Sequence, residues 1–150
     1  AAFHIVSKQV PNVRLLLCGA RTESINPPPR VTVLGFRSNV GDYMSAVDAG
    51  VLSSASGEAL PNVLIELQSR GRPCVTTDVG DAGSLVQPSF VVPPSDPAKL
   101  AEQMIRLARM PASERSALGE DAARRMRANF DGRKVASQYA DLFAGRDVTG

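Results

Sequence analysis

Two carboxylates stand out in the stretch SGEALPNVLIE at residues 56–66: Glu58 and Glu66, with seven residues between them. Pro61 suits the first turn of a helix and Gly71 the position just past its end, so the pattern predicts a helix beginning near Leu60. The free backbone N–H groups of such a helix start are a natural seat for an anion such as a diphosphate. Glu58, just ahead of that start, is a candidate for ligand contact. Its charge would also favour the helix dipole by about 0.3 to 1 kcal/mol, which alone would explain its presence. Glu66 interrupts the apolar run Val63, Leu64, Ile65, Leu67. Either it pairs with Arg70 one turn later, a contact contributing about 0.2 to 0.5 kcal/mol, or it accepts hydrogen bonds from a ligand diol, as acidic residues do with ribose hydroxyls.

What surrounds the pair narrows the chemistry. From Ser38 through Ser69 there is no Lys or Arg, which leaves Arg21 and Arg37 as the cations on nearby loops. Neither GxxxxGK[ST] nor GxGxxG occurs, so ATP and NAD are poor candidates. His4 is the sole histidine, which argues against a His-dependent catalytic pair or a His-rich metal cluster. Cys18 and Cys74 belong to no CxxC pattern and read as thiols packed in strands, in keeping with a reducing, cytoplasmic setting. A formal charge of +2 gives little attraction toward nucleic acid or anionic lipid. No segment approaches the roughly 18 apolar residues of a membrane span.

The elements that must position these residues follow from hydrophobic patterning. VRLLLCG reads as a strand buried on both faces, and VTVLG at 31–35 as a second. NVGDYMSAV suggests a short helix, and AGVLSS a third strand. RPCVTTD and SFVVPP supply a fourth and a fifth, with at most one helical turn between them in VGDAGSLV. From Asp96 and Pro97, which suit an N-cap and first helical position, the chain turns helical, with Leu100, Met104, Leu107 and Ala108 at helical spacing. Two amphipathic helices follow at about 113–129 and 132–144, and ARRMRANF reads as a solvated helix face. Strands alternating with helices imply an α/β domain with a doubly wound parallel sheet. Ligands of such sheets bind outside the carboxyl ends of the strands, so the loops from Gly19, Gly35, Ser53 and Asp78 should line one edge. The chain opens inside a helix that should follow a strand, so a further strand is expected ahead of it.

The order VRLLLCG, VTVLGF, AGVLSS, SGEALPNVLIE, RGRPCVTTDVGDAGSLV and VVPPSDPAKLAEQM resembles the C-terminal domain of family 4 (group 1) glycosyltransferases along nearly the whole chain. The most specific element is the glutamate pair, followed by G-x-P and a strand ending in VTTDVGD. The resemblance implies one of the two Rossmann-like domains of a GT-B enzyme: residues 1–150 would bind the nucleotide-diphosphate sugar, with about 96–145 as the helical portion of the same domain. The implied activity is hexosyl transfer with retention of configuration and no bound metal. Glu58, the implied catalytic residue, would contact the donor sugar near the reacting carbon, and the backbone around Ala59, Leu60 and Pro61 would meet the sugar or phosphate. Glu66 would hold the ribose hydroxyls, and Phe36, Arg37 and Val40 would border the base.

The resemblance also implies that further cations, and an N-terminal domain that binds an acceptor sugar, lipid or small molecule, lie outside these residues. The 150 residues alone are therefore expected not to catalyse transfer. Ala59 stands where the family often has glycine, and ELQSRG where it often has E-A-x-A-x-G, which puts the shape of the sugar pocket and the packing of the helix in question. A nucleotide-sugar epimerase of the same architecture and a noncatalytic α/β binding module remain alternatives. Base, sugar and acceptor are not legible, and association with the inner face of a membrane stays open.

Overall fold

A computed structural model of the chain describes residues 1–20, 22 and 26–146. In chain order it forms α1 (Ala2–Gln9), β1 (Leu15–Cys18), β2 (Val31–Gly35), α2 (Val40–Ala46), β3 (Gly50–Leu52), α3 (Asn62–Ser69), β4 (Cys74–Thr77) and α4 (Ala82–Leu85). A 3-10 turn at Pro88–Phe90 leads into β5 (Val91–Val92), and the chain continues through α5 (Pro97–Arg109), α6 (Ala112–Phe130) and α7 (Gly132–Phe143). The five strands expected within residues 1–150 form, and the fold is α/β with parallel pairing throughout. No helix among the described residues is long and apolar enough to cross a membrane.

The pairing falls into two parts. β1 runs beside β2, with Leu15 opposite Val31 and Leu17 opposite Val33, and β4 lies between β3 and β5, with Gly50 opposite Cys74 and Thr77 opposite Val92. Residues of β1 and β3 both line the space between the pair and the trio.

The burial of β1 corrects the reading of VRLLLCG as buried on both faces. Leu15 and Leu17 are half-buried, while Leu16 and Cys18 are exposed. The reason is cover: side chains alternate between the two faces of a strand, and Leu16 and Cys18 share an open face, whereas β4 packs against α3, α4 and α5, so all four of its residues are buried. The main core gathers Leu64 and Leu67 of α3, Val75, Phe90, Leu100 and Leu107 of α5, and Met126 of α6. A satellite core joins Val6 of α1 to Ala101 and Ile105 of α5.

Local chemistry sets the helix ends. Asp96 caps α5 as expected, its carboxylate accepting from the Ala98 and Lys99 N–H groups at 3.1 and 2.9 Å, ahead of Pro97. The Arg30 guanidinium donates to the Ser7 and Pro11 carbonyls at 3.0 and 2.8 Å, answering the open carbonyls and negative dipole end of α1. The Arg30 carbonyl accepts the Leu15 N–H at 2.9 Å, which fastens that helix end to the β1 edge. On α6, Arg124 and Arg125 pair with Asp121 at 3.0 and 3.4 Å while Met126 turns inward, the solvated face expected of ARRMRANF.

Both cysteines are free: Cys74 is buried and Cys18 is exposed. Burial pushes the Cys74 thiol up to about 12, and a backbone hydrogen bond at Gly50 offsets this only in part. In the unfolded chain the thiol ionises near 9.0, so stability is fully present below that pH and is lost as pH rises toward 12. A chromogenic disulfide reagent should therefore label Cys18 at once and Cys74 only at the rate of unfolding. A Cys74→Ala variant should lose less stability than the parent between pH 9 and pH 11 in urea titrations, the range in which the unfolded thiol ionises ahead of the folded one. Where α6 crosses the end of α3, a Cβ at Gly119 would overlap the Gly71 carbonyl. Gly119→Ala is expected to cost about 1 to 3 kcal/mol, read as a lowered urea midpoint at unchanged slope.

Candidate functional site

Beyond Leu52, β3 opens into a loop over 53–61 that carries Glu58, Ala59, Leu60 and Pro61. The helix after it starts at Asn62, later than the sequence suggests. Pro61 adopts φ −74 and ψ 104, extended rather than helical, and its carbonyl accepts the Leu64 N–H at 3.1 Å. Glu58 is thus separated from α3 by Ala59, Leu60 and Pro61, and α3 has no acidic residue in its first turn. Because a helix dipole acts within the first turn, it does not explain Glu58.

Contacts from β4 and the turn after it hold the loop. Ser54 Oγ donates to Glu58 Oε1 at 2.5 Å, and Thr77 Oγ1 donates to the Ser54 carbonyl at 2.6 Å. The Asp81 N–H donates to the Ala59 carbonyl at 2.8 Å. Gly80 sits at φ +55 and lies so close to the Glu58 carbonyl that a Cβ would overlap it, so the turn needs glycine on both counts. Pro61 is buried, Ala59 and Leu60 are exposed, and Glu58 is half-buried.

Glu66 lies on the exposed side of α3, opposite the buried Leu64, Leu67 and Gln68. The Arg70 guanidinium donates to the Glu66 main-chain carbonyl at 2.8 Å and forms no ion pair with its carboxylate. Among the described residues, Glu66 makes no ion pair at all. The i,i+4 pairing that would have accounted for it structurally is therefore not formed. Leu67, where E-A-x-A-x-G has its first alanine, is buried in the core, and the neighbouring Gln68 is buried as well, donating from Nε2 to the Leu64 carbonyl at 3.2 Å and resting against Met126.

Glu66, Phe36, Arg37 and Val40 all line the open space between the two strand groups, together with Gly19, Ser53 and Thr77. Gly19 after β1, Phe36 and Arg37 after β2 and Ser53 after β3 line this space, as do Asn12, Pro28 and Asp48 ahead of those strands, while Asp78 does not. Glu58 and its three neighbours do not line this space; they stand on the pinned loop next to the turn at 78–81. Phe36 is 71% exposed, and Arg37 is exposed and enters no ion pair among the described residues. Arg21 lies outside the described residues. No cluster of potential metal ligands occurs among the described residues. The lining carries Asp48, Glu66 and Asp96 beside Arg14, Arg37 and Arg115, so it offers acceptors for hydroxyl-bearing ligands, and Arg37 is the cation next to Phe36 and Val40. Ser54, Thr77 and Gly80 escaped the sequence reading, because their parts depend on contacts across the chain rather than on spacing.

The family described as glycosyl transferases group 1 matches residues 1–110. The N-acetyl-alpha-D-glucosaminyl L-malate synthase of Bacillus anthracis is 29% identical over 117 residues, covering 76% of this chain and 30% of that protein. Among solved structures, a sucrose-phosphate synthase from Thermosynechococcus elongatus superposes with a TM-score of 0.81 at 25% identity, over 96% of this chain and 41% of its own. Anabaena HepE in complex with UDP and glucose gives 0.80 at 22% identity, over 95% and 44%. The chain therefore spans less than half the length of these relatives.

Gly80→Ala tests the pinning of the loop directly. It is expected to lower stability by about 1 to 3 kcal/mol and to speed amide hydrogen exchange within 53–61 more than in β4, as followed by mass spectrometry.

Proposed function

The chain belongs to the glycosyl transferases of group 1, and from that premise we propose that it is the donor-binding C-terminal domain of a retaining family 4 enzyme with the two-domain GT-B arrangement. In this reading residues 1–150 form one domain, with 96–145 its helical portion, and the full-length protein moves a hexosyl group from a nucleotide-diphosphate sugar to an acceptor sugar, lipid or small molecule held by another domain. The relatives are glycosyltransferases, and the HepE structures hold UDP with glucose or UDP-glucose, which supports a nucleotide sugar as the ligand class.

The observation that carries the reading is Glu66: an exposed carboxylate without an ion-pair partner among the described residues, lining the same space as Phe36, Arg37 and Val40. Its two oxygens suit the vicinal hydroxyls of a ribose, and a flat base would lie against the loop of Phe36, Arg37 and Val40. Glu58, on the pinned loop, takes the sugar end and contacts hydroxyls near the reacting carbon. Ala59, Leu60 and Pro61 contribute backbone, which fits the burial of the Pro61 side chain. The leaving diphosphate needs stabilisation as its bond to the sugar breaks. With no Lys or Arg from Ser38 through Ser69, that task falls to backbone N–H groups, Arg37 and cations supplied outside this chain, without a metal cofactor. Polysaccharide assembly in the cytoplasm is the setting this chemistry suits, and nucleic acid is not a partner.

Titration calorimetry of the full-length protein with a panel of nucleotide sugars is expected to find a donor that binds. Glu66→Ala should weaken that binding by about 10- to 100-fold, the loss of hydrogen bonds to a charged acceptor. Glu58→Gln should spare nucleoside diphosphate affinity and lower kcat by about 100-fold or more. A folded protein that binds none of the panel would overturn the reading. Epimerised product formed without acceptor would instead indicate an epimerase, and full activity in both variants a noncatalytic role for the pair.

A further inference from the structure

Glu58 stands on a loop without regular structure, where a glutamate side chain would ordinarily sample several rotamers and lose entropy on meeting a ligand. Here it is restrained at both ends. The turn at Gly80 abuts its main-chain carbonyl, and the next carbonyl, that of Ala59, accepts the Asp81 N–H at 2.8 Å. At the other end, Ser54 donates its single hydroxyl proton to Oε1 at 2.5 Å. Ser54 is not itself adrift: its carbonyl accepts the Thr77 hydroxyl at 2.6 Å, and Thr77, only 4% exposed, is the last residue of the buried strand β4.

We propose that Ser54 is a positioning residue for Glu58, anchored by Thr77, and that the chain of hydrogen bonds from β4 through Thr77 and Ser54 fixes the direction in which the carboxylate presents its second oxygen. The inference rests on the reading of Glu58 as the donor-sugar carboxylate. With Oε1 occupied by the serine, Oε2 is the oxygen offered to a sugar hydroxyl, and no hydrogen bond to it is formed among the described residues. Charge-assisted hydrogen bonds of this kind are short and directional, so one serine sets both the rotamer and the reach of the acid. Ser54 would not touch the substrate; it acts through Glu58, and its loss should be felt where geometry is most demanding, in the transition state.

The test is a double-mutant cycle in the full-length protein with the donor found by calorimetry. Ser54→Ala is expected to lower kcat by about 5- to 50-fold, with the Kd for nucleoside diphosphate and the melting temperature close to those of the parent. Ser54→Thr, which keeps the donor, should recover most of that loss. In a Glu58→Gln background, Ser54→Ala should cost little more, because the group it orients is already gone. Thr77→Val, which keeps shape and removes the anchoring hydroxyl, supplies a second arm should Ser54→Ala fold poorly, and should lower kcat in the same direction.

Parent-level kcat in folded Ser54→Ala or Thr77→Val, with Glu58→Gln impaired, would overturn the positioning role and leave the donor-domain reading intact. Losses that multiply in the double variant would overturn it as well. Indifference of kcat to Glu58→Gln itself would remove the reading beneath it.

Discussion

β4 is hydrogen-bonded along both edges and covered by α3, α4 and α5, so its backbone and side chains are shut off from water along their whole length. Opening it would expose paired amides and core side chains together, which makes it the least yielding element of the fold. The two features that give the carboxylate loop its shape leave from this strand. Thr77 reaches across to Ser54, and the chain just past it turns at Gly80 and Asp81 to meet Glu58 and Ala59. A segment with no ladder of its own thus borrows rigidity from the strand beside it, as functional loops on α/β scaffolds commonly do.

Glu66 reaches its position by another route. It is placed by the registry of α3, whose inward residues Leu64, Leu67 and Gln68 are locked in the core and so turn Glu66 outward toward the space between the strand groups. One carboxylate is therefore held by polar contacts on a loop and the other by helical geometry. Their surroundings differ accordingly: Glu58 has a hydrogen-bond donor on one oxygen, while Glu66 stands without an ion pair among the described residues.

Much of this was legible in residue order. Runs such as VTVLG and CVTT announce strands because β-branched and apolar residues cluster there, and Asp96-Pro97 announces α5 because both residues suit a helix start for separate reasons. Glu66 could be singled out because it breaks an apolar run. The start of α3 was displaced because proline is tolerated both in the first turn and just before it, and spacing does not choose between the two. The exposure of Leu16 and Cys18 was not legible, since VRLLLCG is apolar throughout and only packing shows which face of a strand is covered. Nor was the bond between Thr77 and Ser54, because two hydroxyl residues lying 23 positions apart carry no periodic signal.

The meeting of α6 with the end of α3 has a bearing on how this chain can vary through descent. Most crowding inside a protein can be relieved by a second change that trims the neighbouring side chain. At Gly119 the neighbour is the Gly71 carbonyl, part of the main chain, and no substitution shortens a carbonyl. A larger residue there can be accommodated only by moving the helix as a whole, so position 119 is closed to compensation by any change in a neighbouring side chain.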